Sequence, residues 1–307
     1  IRFPSVSRQG NRLAFTRWTS DDNIWRIDGL CPACTSGERM KLLIDSTRSD
    51  ESPQYSPDGQ KILFISDRSG KYEFWICDNE GHNPYPLASD GRVGAASWSP
   101  DGQQIAFDSL DKDKYHIYVM SAEGGVPRRL TTDSTSSQIM PSWSHDGQWI
   151  YFCSNQTGDG QVWKIPSAGG SPLQVTKNGG VAGLESRDGK FLYYSKGWTS
   201  TVPGFWRVPV EGGEEIPIIE LPNAPLPGYW GLTDKGIYFV DNRSEDLASL
   251  VPTLKFMMFD TGQIREVVRL EKPPIGGQGL SASPDGRWVL YEDQDEPSDI
   301  MLVENFK

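Results

Sequence analysis

The sequence predicts an all-β fold, a seven-bladed β-propeller of four-stranded antiparallel blades whose last blade lacks its outer strand within the chain. Three observations predict it. First, a polar turn followed by alternating apolar residues returns seven times. It reads Ser56-Pro57-Asp58-Gly59, Ser99-Pro100-Asp101-Gly102, Ser144-His145-Asp146-Gly147, Ser186-Arg187-Asp188-Gly189 and Ser283-Pro284-Asp285-Gly286, with weaker copies Ser7-Arg8-Gln9-Gly10 and Thr233-Asp234-Lys235-Gly236. Second, the glycines of these phrases lie roughly 42 to 50 residues apart, the period of an array of supersecondary units. Third, no stretch keeps the i, i+3, i+4, i+7 apolar spacing of a helix, and Gly and Pro interrupt the chain throughout.

Each repeat divides into four strands in order. In the third, Ala95–Ser99 reads as the first strand. Pro100-Asp101-Gly102 is a tight turn, since Pro presets φ, Asp bonds nearby backbone and Gly accepts positive φ. Gln104–Asp108, His116–Met120 and Pro127–Thr131 follow as second, third and fourth strands, and the Pro marks the fourth as an edge. Third strands elsewhere are Asn23–Ile27, Glu73–Cys77, Gln161–Ile165, Gly204–Val208, Leu254–Phe259 and Asp299–Val303. Aromatic residues centre the third strands (Trp25, Trp75, Tyr118, Trp163, Trp206, Phe256) and the second (Phe15, Phe64, Phe107, Tyr151, Tyr193, Phe239, Tyr291). Rings bury the most area per residue, so these are expected to fill the wedges between blades. The blades are expected near 1–45, 46–88, 89–132, 133–176, 177–220, 221–270 and 271–307, one domain over 1–307. The chain starts on a first strand, Phe3–Ser7, and stops without a fourth strand in the last repeat, so residues upstream of Ile1 are expected to supply that strand.

Composition limits the function classes. With net charge −11 and pI near 4.8, direct nucleic-acid contact and binding to an anionic membrane surface are disfavoured. No apolar run reaches the length of a membrane span. Of the four cysteines, Cys77 and Cys153 are expected as buried thiols in strands, and Cys31-Pro32-Ala33-Cys34 as a local disulfide or two free thiols, with no second cysteine pair to complete a zinc site. Their redox state follows location: extracytoplasmic if a membrane segment lies upstream, otherwise cytoplasmic.

No catalytic residues, metal site or cofactor are expected. The three histidines, His82, His116 and His145, are scattered over separate repeats. Neither a Gly-x-Ser-x-Gly elbow nor a phosphate-cradling glycine loop occurs. Asp108, Asp111 and Asp113 form a loose acidic cluster that could suit calcium, but Lys112 and Lys114 interrupt it. The loops entering the first strands should ring one mouth of the central channel. Residues at or just before those strands are Arg2, Asp50, Glu51, Arg92, Gln138, Glu185, Tyr229, Trp230 and Gln278, the candidate ligand-binding set. Glu185 stands where neighbouring repeats carry Trp98 and Trp143.

The repeats resemble the TolB-like propeller repeat through Tyr55-Ser56-Pro57-Asp58-Gly59, Trp98-Ser99-Pro100-Asp101-Gly102 and Arg128-Arg129-Leu130-Thr131-Thr132. Asp67-Arg68-Ser69-Gly70, the segment from Gly204 to Gly213 and the ending Ser298–Phe306 are similar to C-terminal propellers of acidobacterial-type regulators with an OmpR-type (CadC-like) winged-helix domain. That resemblance implies a non-catalytic, monomeric sensory module that binds a protein, peptide or small ligand and regulates an attached N-terminal effector. The same repeat implies two alternatives. One is the propeller of a prolyl-oligopeptidase-like peptidase, or a hydrolase or lyase acting in the channel; the other is a TolB-like periplasmic scaffold.

Overall fold

The five Ser-x-Asp-Gly phrases fold into the same hydrogen-bonded corner. Ser56 Oγ donates to Asp58 Oδ1 at 2.6 Å and accepts from Lys61 N at 2.9 Å, while Asp58 Oδ1 accepts from Gln60 N at 3.0 Å. Gly59 takes φ 69°, a conformation that side chains disfavour. The same bonds recur at Ser99, Ser144, Ser186 and Ser283. The serine hydroxyl beside each aspartate (58, 101, 146, 188 and 285) holds its carboxyl below the usual range.

In this computed structural model, residues 2–8, 12–18, 22–29, 36–87, 92–196, 202–221, 225–241, 252–272, 277–293 and 298–304 are described. They form six four-stranded antiparallel blades and one separate three-stranded sheet. Blade I comprises Asp50–Tyr55, Lys61–Ser66, Glu73–Asp78 and Tyr85–Pro86; blade II Val93–Trp98, Gln104–Asp111, Lys114–Ser121 and Arg128–Arg129. Blade III comprises Gln138–Trp143, Trp149–Ser154, Gln161–Pro166 and Leu173–Gln174; blade IV Val181–Glu185, Phe191–Lys196, Gly204–Pro209 and Ile216–Glu220. Blade V comprises Trp230–Thr233, Gly236–Asp241, Thr253–Met258 and Ile264–Arg269. Blade VI is composite: Leu280–Ala282 and Trp288–Asp293 come from one end of the chain, Asn23–Asp28 and Met40–Ile44 from the other. A single helical turn, Ser36–Arg39, leads into the last of these strands.

The all-β class holds, but the ring has six blades and not seven. The difference is one of strand pairing. Asn23–Asp28 does not pair with the nearby Arg12–Trp18; it pairs with Trp288–Asp293, in register from Trp288 with Asp28 to Asp293 with Asn23. Two partial repeats thereby merge into one complete blade, and the ring closes without a bare edge at its seam. The expected missing outer strand is Met40–Ile44, from within the chain. Arg2–Val6, Arg12–Trp18 and Ser298–Glu304 pair with one another as the separate sheet.

Packing gives the same count. Six apolar clusters fill six wedges. Leu63, Phe74 and Phe107 pack between blades I and II, and Ile117, Phe152 and Trp163 between II and III. Tyr151, Leu192 and Tyr194 lie between III and IV, and Phe205, Trp230 and Phe239 between IV and V. Tyr229, Tyr238 and Tyr291 lie between V and VI, and Ile24, Phe64 and Leu290 between VI and I. The rings of the second strands act as the expected mortar: Phe64, Phe107, Tyr151, Tyr193, Phe239 and Tyr291 are all buried. Among the residues of the separate sheet whose side chains are described, 4–6, 12–15 and 303, none belongs to a cluster.

Candidate functional site at the channel mouth

The six corners face one another at one end of the channel, because every first strand runs toward its corner. Two positions per blade build the mouth. The residue before the corner is Tyr55, Trp98, Trp143, Glu185, Leu232 or Ala282 in blades I to VI. The second corner residue is Pro57, Pro100, His145, Arg187, Asp234 or Pro284. All of these except Asp234 line a cavity of about 540 Å³. That volume suits a small ligand or a few side chains of a peptide.

One arc of this mouth is closed. Pro284 packs over Gly59, Pro57 over Gly102 and Pro100 over Gly147, each in the next blade round. Behind them Tyr55, Trp98 and Trp143 wedge between blades, and Trp143 Nε1 donates to Ser97 O of blade II at 3.2 Å. The opposite arc carries charge. Glu185 Oε2 accepts from Tyr151 OH at 2.6 Å and Oε1 from His145 N at 3.1 Å. Burial, reinforced by Glu185, pushes the Tyr151 phenol upward, so it stays a donor. In blade V the acid of the phrase sits one position early, at Asp234, so the corner does not consume it. It pairs instead with Arg187 at 3.3 Å, and Arg187 also bonds the Pro284 carbonyl. Four residues lining the cavity carry a buried polar atom with no partner among the described residues: Gln54 Nε2, Tyr55 OH, Trp98 Nε1 and Gln278 Oε1.

The residues expected at the mouth divide. Glu185, Trp230 and Gln278 line this cavity. Asp50 and Gln138 lie at the opposite ends of their strands, and both are buried in structural bonds. Asp50 pairs with Arg68 at 2.7 Å; Gln138 bonds His116, Thr131 and Ser136. Glu51, beside Asp50, accepts from Ser49 Oγ, and its carboxyl is raised chiefly by burial. Arg92 is exposed, and its carbonyl accepts from Ser109 Oγ at 2.9 Å. Tyr229 is buried core, edge-on to Tyr291 at 6.2 Å. Arg2 lies in the separate sheet, outside the ring. Sequence reasoning missed the corner residues His145 and Arg187 and the placement of Trp98 and Trp143 along the cavity. The departures from Pro at the second corner position were the available signal.

The serine hydroxyls of the five Ser-x-Asp-Gly corners each donate to their own aspartate, which leaves none poised as a nucleophile. Asp108, Asp111 and Asp113 do not converge. Asp108 is buried and accepts from Met140 N at 2.8 Å, and Asp111 pairs with Arg129 at 2.9 Å. No group of three His, Cys, Asp or Glu among the described residues is placed to hold a metal. Cys77 and Cys153 are buried thiols, pushed up to about 12 by burial. Cys31 and Cys34 lie outside the described residues.

Comparison with known proteins fits this geometry. The search of curated proteins found no match to this sequence. Residues 85–203 match the family model of the TolB beta propeller domain. A structure assigned as TolB from Agrobacterium tumefaciens superposes with TM-score 0.70 at 21% identity, covering 90% of this chain and 99% of that one. TolB from Acinetobacter baumannii superposes with TM-score 0.62 at 18% identity, covering 95% of this chain and 65% of that one. A puromycin-hydrolyzing peptidase of Mycobacterium tuberculosis superposes with TM-score 0.58 at 15% identity, covering 89% of this chain and 45% of that one. None of these carries the narrower resemblance to winged-helix regulators. The chain is thus similar in fold to TolB over nearly its whole length, and through its residues 85–203 it matches the TolB beta propeller domain.

Proposed function

We propose that this propeller is a non-catalytic binding module of the TolB-like scaffold kind, gripping an extended peptide segment of a partner protein at the corner end of its channel. One observation carries the reading: the mouth is built asymmetrically. Tyr55, Trp98 and Trp143 form an aromatic arc, and Glu185 with Arg187 forms a polar arc opposite, around one cavity of about 540 Å³. An apolar side chain gains by seating against rings, while a peptide backbone needs fixed donors and acceptors beside them. The fold-level likeness to TolB supports the scaffold reading, and the likeness to the peptidase supports a propeller attached to a catalytic domain. Regulation of an attached winged-helix effector rests on sequence resemblance alone.

Selection of displayed random peptides on the folded protein tests this. A consensus with an apolar residue beside a polar one is expected, and binding should fall at least tenfold in Trp143→Ala with the fold retained in a thermal melt. Peptides that bind Trp143→Ala as tightly as the parent would defeat the assignment of the mouth.

A further inference from the structure

We infer that a second pocket, opening sideways from the mouth between blades IV and V, is a carboxylate subsite with Arg207 as its anchor. This rests on the peptide reading of the mouth. The pocket measures about 370 Å³ and shares Glu185, Arg187, Leu232 and Thr233 with the mouth cavity, so one ligand can occupy both. Its walls are rings: Tyr193 stacks on Phe259 at 5.2 Å, and the Arg207 guanidinium lies 4.4 Å over Phe191.

Arg207 is the odd member of a repeated device. In four other blades a cation reaches across the seam to an acceptor just after the third strand of the next blade. Lys164 Nζ donates to Val210 O at 2.9 Å, Arg265 to Gly29 O at 2.8 Å, Arg26 to Asn79 O at 3.0 Å and Arg128 to Ser167 O at 2.7 Å. Lys164, Arg207 and Arg26 hold equivalent registers, opposite Tyr151, Tyr193 and Leu290. For Arg207 the corresponding residue, directly after the third strand of blade V, is Phe259, which lines the same pocket and stacks on Tyr193. The Arg207 guanidinium accordingly makes no hydrogen bond or ion pair among the described residues, and its Nε is buried without a partner.

The other charged groups lining the pocket are satisfied. Glu185 holds Tyr151 and His145, Asp188 holds Ser186 and Lys190, and Asp234 holds Arg187. An unpaired, half-buried guanidinium in a chain of net charge −11 is a site for an anion from outside. Three fixed acids nearby disfavour a dianion such as phosphate, so a single carboxylate next to an apolar group fits best. It comes from an Asp or Glu side chain or from a peptide C-terminus.

The test uses peptides selected on the parent protein, titrated as free acid, as C-terminal amide and with each Asp or Glu changed to its amide. One of these changes should weaken binding roughly 10- to 100-fold, the loss of one charge-assisted contact, and thereby name the carboxylate. Arg207→Gln should weaken the parent peptide equally and the weakened peptide no further, while Arg207→Lys keeps most of the affinity. The peptide arms need no change in the protein, so an Arg207→Gln that misfolds leaves the test intact. Peptides that bind at the mouth with no dependence on any carboxylate or on Arg207 overturn this inference and leave the proposed function standing. Failure to select any peptide overturns both.

Discussion

The two arcs of the mouth share one backbone and differ in two side chains per blade. From blade VI through I and II to III, proline on glycine and rings between sheets make a wall. From III through IV and V, His145, Arg187 and Asp234 replace the prolines, and Glu185 and Leu232 replace the rings. The far ends of the same strands follow suit. On the closed arc, buried carboxyls stitch two of the three seams: Asp108 of blade II accepts from Met140 N of blade III, and Glu292 of blade VI accepts from Ser52 N of blade I at 2.7 Å. Ser52 and Met140 both hold φ 54°, the left-handed bulges that turn their N–H groups to these carboxyls. The equivalent residues in blades III, IV and V are Cys153, Ser195 and Val240, which carry no charge, and blade I carries Ile65 there. A repeat can thus spend one half of its ring on rigidity and leave the other half for recognition.

Truncation should separate the halves most sharply. Trp98 is 7% exposed and packed between blades I and II, so Trp98→Ala should cost about 3–5 kcal/mol in urea unfolding. Leu232, half-buried on the open arc, should cost about 1–2 kcal/mol when cut to Ala, since part of its surface already meets solvent. Equal losses at the two sites would mean that the arcs are not mechanically different.

The stitches make a pH prediction. Burial raises the Asp108 carboxyl to about 7, against the opposing bonds from Met140 N and Ala95 N. In the unfolded chain it titrates near the ordinary 3.8. Below that value both states are protonated and its contribution is whole. As pH rises toward 7 the unfolded chain ionises first, so stability falls, by up to about 4 kcal/mol. Asp108→Asn should flatten this slope between about pH 4 and 7. The corner aspartates work in the opposite sense: their lowered carboxyls lose stability only as pH falls below the unfolded value. A variant with unchanged slope would show that Asp108 is ionised in the folded ring.

Exchange of a doorway residue for a wall residue comes next in size. Glu185→Trp copies the neighbouring blades and removes the acceptor of Tyr151 OH, which should cost about 1–3 kcal/mol. Adding Tyr151→Phe should restore part of it, because the stranded hydroxyl is then gone. Peptide capture should be lost in both, since the pocket stays blocked. Recovery of binding along with stability would mean that Glu185 acts on folding alone.

How far the sequence carried the fold depends on locality. The Ser-x-Asp-Gly corners were legible because their bonds span at most five residues, and the second-strand rings because burial follows from size. The number of blades was not. Arg12–Trp18 and Trp288–Asp293 are both second strands, and the sequence offers each a choice of two third strands of similar pattern, Asn23–Asp28 and Ser298–Glu304; the first takes Ser298–Glu304 and the second Asn23–Asp28. The choice between them is made by ring closure across the whole chain, which no single repeat records. At the mouth, Glu185 stood out because it breaks an aromatic column. Asp50 and Gln138 were drawn in because polar residues at strand starts look alike whether they face solvent or, as here, bond Arg68 and His116.

The smallest expected effect is the most pointed. Arg187→Pro rebuilds the full Ser-Pro-Asp-Gly phrase in blade IV. It removes an exposed ion pair with Asp234, worth at most about 1 kcal/mol. It also stiffens the unfolded chain, a gain of about 0.4–1 kcal/mol where the corner accepts proline, as it does at Pro57, Pro100 and Pro284. The two nearly cancel, so the melting curve should stay within roughly 0.5 kcal/mol of the parent. Binding should not stay put, because Arg187 lines both the mouth and the side pocket and spans from blade IV to Asp234 and Pro284. A variant unchanged in stability but altered in peptide affinity would show that the departure from proline serves recognition. A variant clearly less stable would show instead that the arginine is a fastening of the ring, and the polar arc would then be a second way of building a wall.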